Sequence, residues 1–123
     1  MKILERALVI DDLAPLAKAY ARTLKRYFNQ PPEYVITAQE GIDKINDSIS
    51  QNKLYDLALV DGLNGEWELV CDTFSQKSPS TYVIVVSGDR KYVAGAKAKG
   101  ITAVDKPLSA DDLKKLVEAY QNS

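Results

Sequence analysis

Apolar and polar positions along the chain fall into two alternating rhythms. Short unbroken apolar runs lie at 7–10, 34–36, 57–60 and 82–86. The run Val83-Ile84-Val85-Val86 is continuous rather than alternating, as in a strand covered on both faces. Between these runs the spacing changes to threes and fours. Leu13, Leu16, Ala17, Tyr20, Leu24 and Tyr27 make one apolar stripe, with Phe28 beside it, and Asn29-Gln30-Pro31-Pro32 ends the helix. Thr37 and Glu40 have the spacing of a capping box, followed by Ile42, Ile45 and Ile49 on one face. A third helix is predicted over 66–74 and a fourth over about 91–99, stopped by Gly100. A short fifth strand follows at 102–104. Ser109 and Asp112 then cap a last helix that turns Leu113, Leu116, Val117 and Tyr120 inward.

Strands alternating with helices throughout predict an α/β fold: a doubly wound, five-stranded parallel sheet with helices on both faces. Right-handed crossovers are the default, and five βα units suggest the flavodoxin-like order 2-1-3-4-5. Repeats, low-complexity tracts and long linkers are absent, so one domain over 1–123 is expected. In such sheets the site lies beyond the carboxyl ends of the strands, near the switch point between strands 1 and 3.

Composition narrows the chemistry more than the fold. The 123 residues carry a net charge of −1, so no basic excess argues for nucleic acid. The chain has no histidine, which removes His-based acid–base catalysis and most zinc sites. The lone Cys71 has no partner for an internal disulfide and no basic neighbour in sequence to make it reactive. Met1–Ile10 is too short and too charged for a signal peptide, and no apolar run reaches membrane-spanning length. A cytoplasmic protein without membrane or nucleic-acid partners is expected.

The strand ends carry the candidate chemistry. Strand 1 runs straight into Asp11-Asp12, strand 3 into Asp61 and strand 4 into Ser87, and strand 5 ends near Lys106-Pro107. Each has an ordinary reading taken alone: Asp12 as a helix N-cap, Asp61 before Gly62 as a turn former, Ser87-Gly88-Asp89 as a capping loop, Lys106 as one more solvated lysine. The fold places all of them on one edge of the sheet. Three carboxylates brought close together raise one another's pKa, and a hard divalent cation relieves them. Mg²⁺ prefers oxygen ligands and leaves room for phosphoryl oxygens. Lys106 and the Ser87 hydroxyl supply donors to such oxygens. Asp61, central in the set, is the candidate nucleophile for an acyl phosphate.

In the order and placement of these residues the sequence resembles the receiver domain of two-component response regulators, of the chemotaxis-type single-domain kind, over nearly its whole length. The resemblance implies that a phosphohistidine of a sensor histidine kinase or phosphotransfer protein phosphorylates Asp61. It implies that Asp11, Asp12, Asp61 and the backbone carbonyl of Leu63 hold Mg²⁺, with Asp11 acting largely through water. Ser87 and Lys106 then bind phosphoryl oxygens, and the Lys106-Pro107 peptide is cis. A downstream protein partner is met through the last helix–strand–helix face. Such a chain is a signalling module rather than a turnover enzyme. With no room for an output domain, it stands alone or is a piece of a longer protein.

Two features depart from that family. The segment Asp61-Gly62-Leu63-Asn64-Gly65-Glu66 lacks the usual Met-Pro step and is shorter. The position three before the lysine, usually Tyr or Phe, is Ala103. The usual switch through that ring therefore does not carry over; Tyr82 and Tyr92 are the aromatic candidates, with packing the default job for both. These departures favour an alternative, a pseudo-receiver that binds protein partners without phosphorylation. A Mg²⁺-dependent phosphohydrolase of the haloacid-dehalogenase type needs a second Asp two residues after the first, and Leu13 stands there instead. Phosphate-binding glycine motifs of nucleotide enzymes are missing. Trp67 and Cys71, four apart, are expected to face the core, and the basic stretch 90–99 to be a solvated helix face.

Overall fold

The computed structural model describes residues 1–123. It contains β1 (Ala7–Ile10), α1 (Ala14–Leu24), β2 (Glu33–Val35), α2 (Ala38–Ser50), β3 (Leu57–Asp61), α3 (Trp67–Lys77), β4 (Tyr82–Ser87), α4 (Arg90–Ala98), β5 (Thr102–Asp105) and α5 (Ala110–Gln121), with single 3₁₀ turns at Lys25–Tyr27 and Leu63–Gly65. The strands form one sheet in the order β2-β1-β3-β4-β5, every pair parallel. This is the flavodoxin-like α/β architecture expected from the alternation of elements.

Because successive side chains of a strand point to opposite faces, the continuous apolar runs feed two cores. Leu8, Ile10, Ala58, Val60 and Val85 pack under α2, α3 and α4 with Ile45, Trp67, Val70, Phe74, Val93 and Ala96. Ala7, Val9, Leu57, Leu59, Ile84 and Val86 pack under α1 and α5 with Ala17, Tyr20, Leu24, Leu113 and Val117. α2 sits close on β1 because residue 41 is glycine: a Cβ there would lie 2.5 Å from Ile10 Cδ1. On the other face, the rings of Tyr82 and Tyr120 stack at 4.6 Å and 4°, with Lys2 Nζ 4.2 Å from the Tyr120 ring centre.

Three apolar positions differ from the periodic reading. Leu13 lies before α1 rather than in its stripe and is 58% exposed. Pro15 is the reason: lacking an N–H, it belongs in the first turn, which starts the helix at Ala14. In α2 the inward line runs Ala38, Gly41, Ile45, Ser48, which leaves Ile42 half-buried and Ile49 on its exposed flank. β2 begins and ends one residue earlier than 34–36, because the ladder stops at the Ile10–Val35 pair and the Ile36 N–H turns to Glu40 Oε1. The Glu40 carboxylate accepts the Ile36 N–H and the Thr37 hydroxyl rather than the Thr37 backbone N–H, so the box stays incomplete although the Thr37 side chain accepts the Glu40 N–H. The box at α5 is complete, with Ser109 and Asp112 bonding reciprocally.

At the N-terminal ends of the strands, Glu33 gathers donors from three places. It accepts from Arg6 Nη2 at 2.7 Å, Lys44 Nζ at 3.1 Å and the Tyr55 hydroxyl at 3.0 Å. Burial pushes the Glu33 carboxyl up, but these partners together outweigh it and hold the carboxyl below its ordinary range. Beside it, the Asp56 carboxylate accepts the backbone N–H groups of Glu5 and Arg6.

Candidate functional site

The opposite edge of the sheet collects the acids. Asp11 follows β1 and is buried; Asp12 next to it is exposed; Asp61 is the last residue of β3. One carboxylate oxygen from each lies within 4.8 Å of the others. Lys106 follows β5, its N–H bonded to the Ser87 carbonyl at 2.9 Å, and the Lys106-Pro107 peptide is cis. Its ammonium bridges two of the acids, 2.5 Å from Asp61 Oδ1 and 3.1 Å from Asp11 Oδ2. The remaining oxygens meet backbone: Leu13 N–H donates to Asp11 Oδ1 and Leu63 N–H to Asp61 Oδ2.

These contacts separate the ordinary readings from the functional ones. Asp12 is not the cap of α1; Leu13 holds that position and provides no side-chain bond. Asp61 does close a turn onto Leu63, yet it is also ion-paired and only partly exposed, so turn formation does not exhaust its contacts. Lys106 is not a freely solvated lysine. Ser87, the last residue of β4, is buried, and its Oγ accepts the Asp89 N–H at 3.0 Å. Asp89 in turn caps α4 by accepting the Lys91 N–H.

The site carries more negative charge than its own lysine balances: three carboxylates face one ammonium. Burial pushes the Asp11 carboxyl up and the nearby Asp61 charge adds to it, against the Leu13 N–H and Lys106. Burial by itself depresses Lys106, but Asp61 and Asp11 outweigh it and push its pKa up. A cluster of hard oxygen donors with two uncompensated negative charges fits a divalent cation such as Mg²⁺.

The chain after Asp61 turns sharply. Leu63, Asn64 and Gly65 are all left-handed, with φ of 50°, 54° and 97°. Leucine rarely adopts this conformation, which costs an L-residue about 1–2 kcal/mol. The Leu63 carbonyl accepts the Glu66 N–H at 3.1 Å within this tight turn.

One aromatic residue near the site, Tyr20, escaped the sequence reading, and for another, Tyr92, it is the contact that was not foreseen. Tyr20 on α1 is buried, and its phenol is pushed up by burial while it feels Lys106, Asp11 and Asp61. It looked like one more member of an apolar stripe. Tyr92 on α4 lies against Gly62: a Cβ built on Gly62 would be 2.7 Å from Tyr92 Cδ2 and 2.7 Å from Ser87 Oγ. No linear signal marks that contact, because it depends on how α4 is laid over the loop after β3. Trp67 and Cys71 are buried as expected, and burial pushes the Cys71 thiol up to about 12, which leaves it unreactive.

With this geometry the chain has the receiver-domain fold of response regulators. No protein-family model and no curated protein matches it, whereas 97 solved chains do. A BeF3-activated DrrB receiver domain superposes with TM-score 0.79 at 18% identity, covering 98% of this chain and 100% of that one. A two-component response regulator from Cytophaga hutchinsonii gives 0.75 at 25% identity, over 99% and 100% of the two chains. A response regulator receiver domain from Clostridium thermocellum gives 0.74 at 21%, over 97% and 95%. No helix is long and apolar enough to cross a membrane.

Proposed function

We propose that residues 1–123 form one phosphoacceptor signalling domain, in which Asp61 takes a phosphoryl group from a phosphohistidine on a sensor histidine kinase or phosphotransfer protein. An Asp61 carboxylate oxygen forms a bond to phosphorus as the N–P bond breaks, the leaving imidazole keeps the electron pair, and an acyl phosphate results. The observation that carries this reading is the meeting of Asp61 with Asp11, Asp12 and Lys106 at one edge of the sheet. Asp11, Asp12, Asp61 and the Leu63 carbonyl would hold Mg²⁺, which when bound supplies positive charge beside the transferred oxygens. Lys106 already spans Asp11 and Asp61, so its ammonium is in reach of an oxygen added on Asp61. The Ser87 hydroxyl donates to a second oxygen once released from its contact with the Asp89 N–H. The new charge shifts the population of conformations, and the α4–β5–α5 face presents the change to a protein partner. In this reading the domain works in the cytoplasm, transmits a signal rather than turning over a substrate, and contacts neither nucleic acid nor membrane.

Incubation with Mg²⁺ and acetyl phosphate, followed by intact mass, tests the proposal. A phosphoryl mass on the wild type that is absent from Asp61→Asn is expected. A second reading, a pseudo-receiver signalling through binding alone, is favoured by the tight loop after Asp61 and by the methyl side chain at Ala103. An unlabelled wild type that still binds its partner would establish it. Hydrolysis of phosphate esters by the wild type and not by Asp61→Asn would instead make the chain a phosphohydrolase.

A further inference from the structure

We infer that Tyr92 is the residue that couples the phosphoryl site to α4, a role resting on the phosphoacceptor reading above. The side chain at position 103 on β5 is a methyl, so that strand has no ring there to reorient. Tyr92 approaches the site from a different element. Its ring and the Ser87 hydroxyl both crowd the point where a Cβ on Gly62 would stand, at 2.7 Å each, directly beside Asp61. Only glycine leaves that point free. The Tyr92 hydroxyl extends on toward Gly65, 3.6 Å from the place of its missing Cβ. Tyr92 thus lies against both ends of the turn whose middle residues are held left-handed.

Movement at Ser87 reaches α4 by two contacts. The Ser87 Oγ that turns toward a phosphoryl oxygen leaves the point over Gly62 that it crowds together with the Tyr92 ring, and releases the Asp89 N–H. Asp89 is the N-cap of α4, and its carbonyl accepts the Tyr92 and Val93 N–H groups. The start of the helix and the ring one turn in are therefore disturbed together. Further along α4, Gly95 lies against Trp67, with its Cβ position 3.2 Å from Trp67 Cζ2. Trp67 is the only tryptophan, is buried on α3, and its Nε1 has no hydrogen-bond partner. Packed interiors respond to small shifts by stepping between arrangements rather than deforming smoothly. A step of α4 accordingly changes the surroundings of Trp67, and its fluorescence reports it.

The experiment compares wild type, Tyr92→Phe, Tyr92→Leu, Gly62→Ala and the double variant Gly62→Ala/Tyr92→Leu in the full chain. Each is treated with Mg²⁺ and acetyl phosphate. Phosphoryl content is read by intact mass, Trp67 by emission, and α4 by amide hydrogen exchange, all on the same sample. Labelled wild type should shift its Trp67 emission and exchange α4 amides severalfold faster. Tyr92→Phe, which keeps the ring, should respond like the wild type. Tyr92→Leu should take up as much phosphoryl group, which also shows that it is folded, and lose most of both changes. Gly62→Ala should displace the ring and shift Trp67 emission without any phosphoryl group, and the added Tyr92→Leu should cancel that shift. A labelled Tyr92→Leu that responds as strongly as the wild type overturns the inference, as does loss of response in Tyr92→Phe. If the wild type takes no label, it is the phosphoacceptor reading that fails. The Gly62→Ala pair then still decides the coupling, since an unchanged Trp67 in unlabelled Gly62→Ala overturns it.

Discussion

The two ends of the sheet each hold a cluster of charged side chains, and the clusters are built on opposite principles. At the N-terminal ends, the single Glu33 carboxylate is matched by Arg6, Lys44 and the Tyr55 hydroxyl. At the carboxyl ends, three carboxylates share Lys106 alone. The carboxyl groups respond in opposite directions: Glu33 is held down by its partners, and Asp11 is pushed up by burial and by Asp61. A surplus of donors describes a cluster that ties β1, β2, α2 and the start of β3 together. A deficit of positive charge describes one whose oxygens fit an added cation. Charge count against local partners distinguishes a structural knot from a site where counting acids alone does not.

The contrast can be broken in four ways. The largest effect is expected from Lys106→Met, which leaves the buried Asp11 and Asp61 facing each other without a cation. Loss of one partner from a buried pair costs about 3–5 kcal/mol, and the partial exposure of Lys106 reduces this to roughly 2–3 kcal/mol in urea unfolding. An unchanged midpoint would show that Lys106 does not compensate the acids. Next comes Mg²⁺ itself: at roughly tenfold its Kd it should stabilise the wild type by about 1.4 kcal/mol. The gain, read as a rise in Tm, should be lost in Asp12→Asn.

Glu33→Gln follows, expected to cost roughly 1 kcal/mol at neutral pH through lost charge-assisted hydrogen bonds. Its pH dependence has a definite sign. The folded Glu33 pKa lies below the ordinary 4.5, so the stabilisation is complete above that value and disappears as pH falls through the folded pKa. Wild type and Glu33→Gln should therefore converge in acid. The smallest effect is the most diagnostic, because it has the opposite sign. Asp12→Asn removes an exposed acid from an overcharged cluster and should stabilise the metal-free protein by about 0.5 kcal/mol. Destabilisation there would mean that the carboxyl-end cluster is as balanced as the Glu33 one.

The sequence made the site far more legible than the structural knot. Asp11-Asp12, Asp61 and Ser87 stand where apolar runs end, and Lys106 lies just beyond β5, so recognising the strands was enough to bring them to one edge. The members of the Glu33 cluster have no such marker. Arg6, Glu33, Lys44 and Tyr55 lie on four separate segments, and each alone reads as an ordinary polar position. The contact of Tyr92 with Gly62 was invisible for the same reason, since it is made across the packing of a helix on a loop. Local chemistry overrode periodicity at Leu13, where Pro15 fixed the start of α1, and at β2, where the Glu40 side chain drew off the Ile36 N–H.

The stack of Tyr82 on Tyr120 pins the last helix to the sheet by two chromophores held nearly parallel. Aromatic rings fixed in an asymmetric setting produce near-ultraviolet circular dichroism that vanishes when tertiary packing loosens. The molecule thus carries an optical gauge on each side of its sheet, an indole behind one layer of helices and a tyrosine pair behind the other. Loosening of one layer can be told from loosening of the other without attaching any label.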